Sequence, residues 1–211
     1  FLGIDLQNTF CLPDFELYVG GRSGTGAVEN TRRLSEFLYK NLAQLSHLIF
    51  TLDTHTAVQI FHAIFLVDAL GNPPPPMTMF TPEDVRMGKW RFNPAVAPGL
   101  GIRPEDGQRH LEYYVTQLEQ NGKYTLTIWP YHAMLGGIGH ALVALIEEAA
   151  FFHSIARQTP TLFITKGQEA LTEHYSAIRP EVAVDATGRP LAQKNPALFS
   201  QLQSLDALIV A

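Results

Sequence analysis

The apolar residues Val28, Leu34, Phe37, Leu38, Leu42 and Leu45 recur at helical spacing with charged residues between them, which predicts an amphipathic helix over 28–45. At the start of the chain, "FLGID" is a short apolar run ending in an acid, the look of a buried parallel strand. "HLIFTLD" at 47–53 and "TLFITKG" at 161–167 have the same form, and "DALIVA" at 206–211 predicts one more strand. A short helix is expected within 105–122, stopped by Gly122, and a strong one over Ile138–Arg157, followed by Pro160. Residues 195–205 predict a last helix with Pro196 in its first turn. Strands alternating with helices of this length argue for an α/β fold around a parallel sheet.

Two segments break the alternation. "QNTFCLPDFELYVGGRSGTG" is rich in Gly, Pro and polar residues and reads as loop; its glycines lack the strand-then-helix spacing of a phosphate loop. Residues 66–125 contain the polyproline run "GNPPPPM" and no clean period. With few periodic apolar residues, they read as an irregular insertion in a single domain, and 211 residues suit one domain. The chain begins at Phe1 inside an apolar run and stops at "DALIVA", so both ends are expected to be cuts through a longer polypeptide.

Composition removes several function classes. The net charge is −5 and the 15 basic residues are scattered, so there is no basic stripe for nucleic acid. The most apolar long segment, "HALVALIEEAAFF", is short and interrupted by Glu147 and Glu148, which argues against a membrane span. The sole cysteine, Cys11, excludes an internal disulfide framework and suits a reducing cytoplasm, the expected location.

In open parallel sheets, ligands bind at the carboxyl ends of the strands. Asp5, Asp53 and Lys166 end three of the predicted strands. Singly each has a plain explanation: Asp5 as a turn cap, Lys166 as a solvated strand end, Asp53 and His55 as loop polar residues. Three at one edge suggest a site. In "TLDTHTAVQIFH", Asp53, His55 and His62 lie within ten residues, and a carboxylate and a histidine two apart could grip a metal.

The motifs "IDLQNTFC", "LDTH", "TIWPYH" and "TKG…EHYSAI", in this order, resemble the nicotinamidase branch of the isochorismatase-like cysteine hydrolases. The resemblance implies a three-layer, Rossmann-like parallel sheet with helices on both faces. It implies a metal triad of Asp53, His55 and His132 holding a divalent ion, zinc by expectation. It makes Asp5 the general base and Lys166 its partner beside a nucleophilic cysteine. In that family the ion holds the ring nitrogen of a pyridine-carboxamide and aims its amide at the thiolate. The implied activity is hydrolysis of a small planar carboxamide to acid and ammonia through a thioester, with the small molecule as partner and a homo-oligomer possible. Sister activities on isochorismate-type or carbamoyl substrates, and an inactive binding subunit, are the alternatives.

The family's nucleophile follows the strand matching "DALIVA", so it is expected beyond Ala211; Cys11 is not that residue. The 66–125 insertion is expected to reshape the mouth of the pocket. His62, in "IFHAIF", reads as a hydrogen-bonded wall residue rather than a ligand, and His174 as a loop residue. His47, His110, His140 and His153 read as surface or helix-face residues. Trp129 and Phe15 would either wall an aromatic slot or pack in the core.

Overall fold

The computed structural model describes residues 1–192 and 195–211. The chain divides into two compact units. The first comprises residues 1–55, 132–166 and 196–211; the second comprises 56–131 and 167–195.

The first unit is built on a parallel sheet in the order β1 (Leu2–Ile4), β2 (Ile49–Asp53), β7 (Leu162–Lys166). Its register sets Leu2 against Ile49 and Ile49 against Leu162, so that Asp53 falls directly opposite Lys166. The predicted end strand forms only a bridge, Leu2 with Val210, but the ladder bonds are made: the Leu2 N–H donates to Ile209 O at 2.8 Å and Ile4 to Ala211 O at 2.7 Å. On the sheet lie α2 (Gly26–Lys40) and α6 (Ala144–Arg157), and Phe1, Phe50 and Leu52 are buried with Leu38, Ile146 and Ala149. Gly3 is required by this packing, because a Cβ there would lie 2.6 Å from the Phe50 ring. Helix α1 (Asn8–Cys11) is a single turn inside the predicted loop, and α7 (Pro196–Gln203) begins at its proline.

Two helices are shorter than their periodicity predicts. Helix α2 ends at Lys40, where the Asn41 side chain bonds back to Phe37 O at 2.7 Å, so Leu42 and Leu45 lie beyond it. The helix predicted from Ile138 begins only at Ala144. Residues 141–143 are instead extended against 6–8: Asn8 N–H donates to Ala141 O at 2.9 Å and Val143 N–H to Leu6 O at 3.0 Å. Pairing with a distant segment outcompetes the local helical preference there.

In the second unit, residues 66–125 are more regular than their sequence suggests. They carry β3 (Leu66–Val67), β4 (Met79–Phe80), α3 (Pro82–Arg86), β5 (Arg91–Phe92), α4 (Ala97–Leu100) and the 17-residue α5 (Pro104–Gln120), with β6 (Leu126–Thr127) following. Strands β3–β5 and β4–β6 are antiparallel pairs of two residues each, too short to show a period of two in sequence. A reciprocal Thr81–Asp84 capping box starts α3. Phe61, Phe65, Phe80, Leu111, Val115 and Leu118 form the heart of this unit's core.

A buried polar knot ties α5 to residues 172–182. Tyr114 and Tyr124 donate to the Glu173 carboxylate at 2.9 and 3.0 Å, and Glu173 N–H donates to the Tyr114 oxygen. Burial pushes the Glu173 carboxyl up to about 7, with nearby Glu181 adding and the two phenols opposing. The folded chain therefore holds a proton that the unfolded chain releases near pH 4.5, and stability must fall as pH rises from there to about 7. The urea midpoint should decline across that window, and Glu173→Gln should flatten the decline. A wild-type midpoint rising with pH through the window would contradict this.

Candidate active site

The carboxyl ends of the three parallel strands bring their polar residues together. Just past β1 the chain turns at Asp5, whose φ of 54° lies in the left-handed region, where aspartate is among the few tolerated non-glycine residues. The turn is held by Thr51: Asp5 N–H donates to Thr51 O at 3.2 Å, and the Thr51 hydroxyl donates to Asp5 Oδ1 at 2.8 Å. Lys166 Nζ then bridges two acids, lying 2.9 Å from Asp5 Oδ2 and 3.2 Å from Asp53 Oδ1. All three side chains are largely buried.

The pull of each group on the others is asymmetric. Burial works against the Lys166 charge, but Asp53 and Asp5 outweigh it and hold the ammonium above its ordinary value. Burial lifts the Asp5 carboxyl, and Lys166 and Thr51 only partly offset that, so Asp5 titrates above the usual carboxylate range. Burial also opposes the Asp53 charge, yet His132, His55 and Lys166 together hold this carboxyl well below that range. Burial and the shared lysine thus leave the two carboxyls shifted in opposite directions, Asp5 upward and Asp53 downward.

The histidines arrive by a second pairing. Beyond β2, residues around His55 run parallel to 133–135: His55 N–H donates to Ala133 O at 3.1 Å and Leu135 N–H to His55 O at 2.9 Å. Ala133 is itself left-handed, with φ 46°. This strained turn sits between the pairing and His132, the kind of local strain that tertiary structure maintains at functional positions. The two rings meet edge to face with centroids 4.7 Å apart, and Phe10 packs edge-on against His132. His55 Nε2 and His132 Nε2 lie 3.0 and 3.4 Å from Asp53 Oδ2.

Among the described residues, Asp53, His55 and His132 form a group able to hold a metal ion, with donor atoms all within 4.8 Å of one another. Two bonds of about 2.1 Å at a tetrahedral angle leave donors about 3.4 Å apart, so the carboxylate–imidazole distances suit a zinc-sized ion. Charge points the same way. Asp5 and Asp53 carry two negative charges against the one of Lys166, leaving a net negative pocket for a cation to balance.

Other sequence candidates lie elsewhere. His62 is fully buried in the second unit, its Nδ1 3.0 Å from Thr56 O and its ring against Phe61 and Tyr131. Trp129 packs against that unit's core and donates to the Tyr175 hydroxyl at 3.2 Å. In the first unit, Phe15 faces Gly139. His110 and His153, read as surface or helix-face residues, are buried and reach the carbonyls of Leu171 and Leu45 at 2.7 and 2.9 Å. Each faces inward because it anchors its helix to a distant loop. Cys11 is also buried, and burial pushes its thiol up, the opposite of a reactive cysteine.

Sequence reasoning passed over Gln7, Thr51 and Thr54, and read His140 as a surface or helix-face residue. The only sequence signal of the first three is a polar residue where a strand or its exit should be apolar. The Thr54 hydroxyl lies 2.8 Å from His140 Nε2, drawing residues 138–140 onto the end of β2.

An α/β sheet with two acids and a lysine at neighbouring strand ends, beside an Asp–His–His group, has the fold of the nicotinamidases. The yeast nicotinamidase Pnc1p is similar over all of this chain and 72% of its own, at 16% identity and a TM-score of 0.56. The same enzyme bound to the inhibitor nicotinaldehyde gives 0.57. A nicotinamidase and pyrazinamidase of Acinetobacter baumanii gives 0.50 at 14% identity, over 68% of its length. No family model and no curated protein matches the sequence. Among the described residues, no helix is long and apolar enough to cross a membrane.

Proposed function

We propose that this chain forms the metal and acid–base part of a cysteine amidohydrolase that cleaves a small planar carboxamide, nicotinamide or a close analogue, to the acid and ammonia. The observation that carries the reading is the joint geometry: Lys166 bridging Asp5 and Asp53, with Asp53 also in reach of both His55 and His132.

Asp5 acts as the base. Its carboxyl, lifted by burial, takes the proton of a cysteine thiol and later passes it to the departing amine, so that ammonia leaves neutral. Lys166 stays charged throughout, steadying the thiolate and keeping Asp5 oriented. The thiolate attacks the amide carbon, the C–N bond breaks to give a thioester, and water hydrolyses the thioester to the acid. Cys11, buried with a raised thiol, does not suit this attack, and the nucleophile is assigned to polypeptide outside these 211 residues. Asp53, His55 and His132 would hold a divalent ion, zinc by its donor set, which supplies Lewis acidity and a fixed point for a ring nitrogen.

The test is ammonia release from nicotinamide and pyrazinamide by the intact polypeptide carrying these residues. Release that stops with Asp5→Asn and falls on chelation supports the reading. A folded, metal-loaded protein that releases no ammonia from either amide would falsify it.

A further inference from the structure

The backbone of Asp53 is held by a side chain. On the side of β2 facing β1, the ladder runs from Ile49 N–H to Phe1 O at 2.9 Å and from Asp5 N–H to Thr51 O at 3.2 Å. The next residue on that side is Asp53, but β1 has ended and the chain has turned away at Asp5. The Gln7 carboxamide fills the gap. Its Oε1 accepts from Asp53 N–H at 2.7 Å, and its Nε2 donates to Asp53 O at 2.8 Å and to His140 O at 2.9 Å. A primary amide offers the donor and acceptor of a peptide group, so Gln7 stands in for the missing strand. Gln7 is fully buried, so losing its bonds would leave buried backbone groups of Asp53 unpaired.

We propose that Gln7 is a positioning residue for the metal site, fixing the Asp53 carboxylate at the geometry that binds a divalent cation. This rests on the metal reading above. Asp53 would otherwise end its strand with two free backbone groups, and its side chain would swing with them. Glutamine alone fits: glutamate lacks the two donors, and asparagine is shorter by one carbon–carbon bond, about 1.5 Å. The third bond ties the same carboxamide to His140, so residues 138–140 share the restraint.

The experiment measures Zn2+ affinity by competition with a chromophoric chelator, and the d–d absorption of the Co2+ form, for wild type, Gln7→Asn and Gln7→Met. Both variants should bind about tenfold to a hundredfold more weakly, the range seen when a group orienting a metal ligand is lost. Their Co2+ bands should shift or broaden. Gln7→Asn removes only reach and supplies the answer if the methionine variant does not fold. Thr172→Val is the control for simple destabilisation, because its buried hydroxyl bonds the Val182 and Glu173 backbone in the second unit and none of the residues of the metal group. It should melt earlier with Zn2+ affinity within twofold of wild type. Folded Gln7 variants with wild-type affinity and spectra overturn the positioning role alone. A wild type that binds neither ion overturns the metal reading and this role together.

Discussion

Asp53→Asn is expected to weaken Zn2+ binding by more than about a hundredfold, beyond the effect of losing a group that only orients a ligand. The substitution keeps the shape and the Gln7 contacts, which are made to the backbone, and removes only the charge. Two consequences add. The site exchanges an anionic carboxylate donor for a weaker neutral amide oxygen at the point that both imidazoles approach, at 3.0 and 3.4 Å. The pocket also loses the negative charge left over after Lys166 pairs with Asp5, and with it most of its attraction for a cation. Stability at pH 7 should also fall, because the stabilising charge of Asp53 is lost, while Lys166 still has Asp5 at 2.9 Å to pair with. Chelator competition on the folded variant checks this. Affinity within tenfold of wild type would mean that Asp53 is no ligand.

Lys166→Met should cost about 3 kcal/mol of stability at pH 7, the lower end of what a broken buried ion pair costs, because Asp5 is partly exposed. Without the lysine, two carboxylates face each other with no counter-charge, and their affinity for protons must rise. The variant should therefore regain stability as pH falls from 7 toward 5, when its folded state takes up protons that the unfolded chain does not. In wild type the Lys166 contribution is complete below the ordinary lysine value of 10.5, and it fades only as pH rises through the higher folded value. Asp53 adds stability that is present above the ordinary aspartate value and lost only in strong acid. Urea unfolding at pH 5, 7 and 9 separates these terms. A loss below about 1 kcal/mol at pH 7, or one equal at pH 5 and 7, would show that the three groups do not share one buried electrostatic unit.

The two variants also divide the site. Lys166→Met removes the cation that joins Asp5 to Asp53, whereas Asp53→Asn leaves the Asp5–Lys166 pair intact. Combining them should give less than the sum of the two stability losses, since the residues are in contact.

Much of the first unit was legible from pattern alone. Apolar runs ending in Asp5, Asp53 and Lys166 predict buried strands, and strands form at all three, but only β2 is buried along its whole length, Ile4 of β1 and Phe163 of β7 being exposed. In the second unit, helix α5 stops before Gly122, as expected, but at 17 residues it is not the short helix that the sequence suggested. Pattern failed where partners are distant. Residues 141–143 have helical periodicity but are drawn into an extended pairing with 6–8. Residues 66–125 conceal a core because their strands are two residues long and their apolar residues come from many short pieces. His110 and His153 look like surface residues in sequence because a buried backbone carbonyl leaves no sequence signal.

The sequence by itself determined which side chains could do chemistry. Ionisable residues at the ends of apolar strands of one parallel sheet sit at one edge of it, and "LDTH" and "WPYH" supply side chains of types able to bind a metal. Only the tertiary structure decided how they combine. The register of β2 against β7 sets Asp53 opposite Lys166, and the pairing of His55 with residues 133–135 carries His132 across some eighty positions to the same oxygen. It also gave Gln7 its place, because a carboxamide's value as a substitute strand depends on where the real strand stops. Local preferences act over a few residues, whereas the distances that make a site are set by which segments pair across the fold.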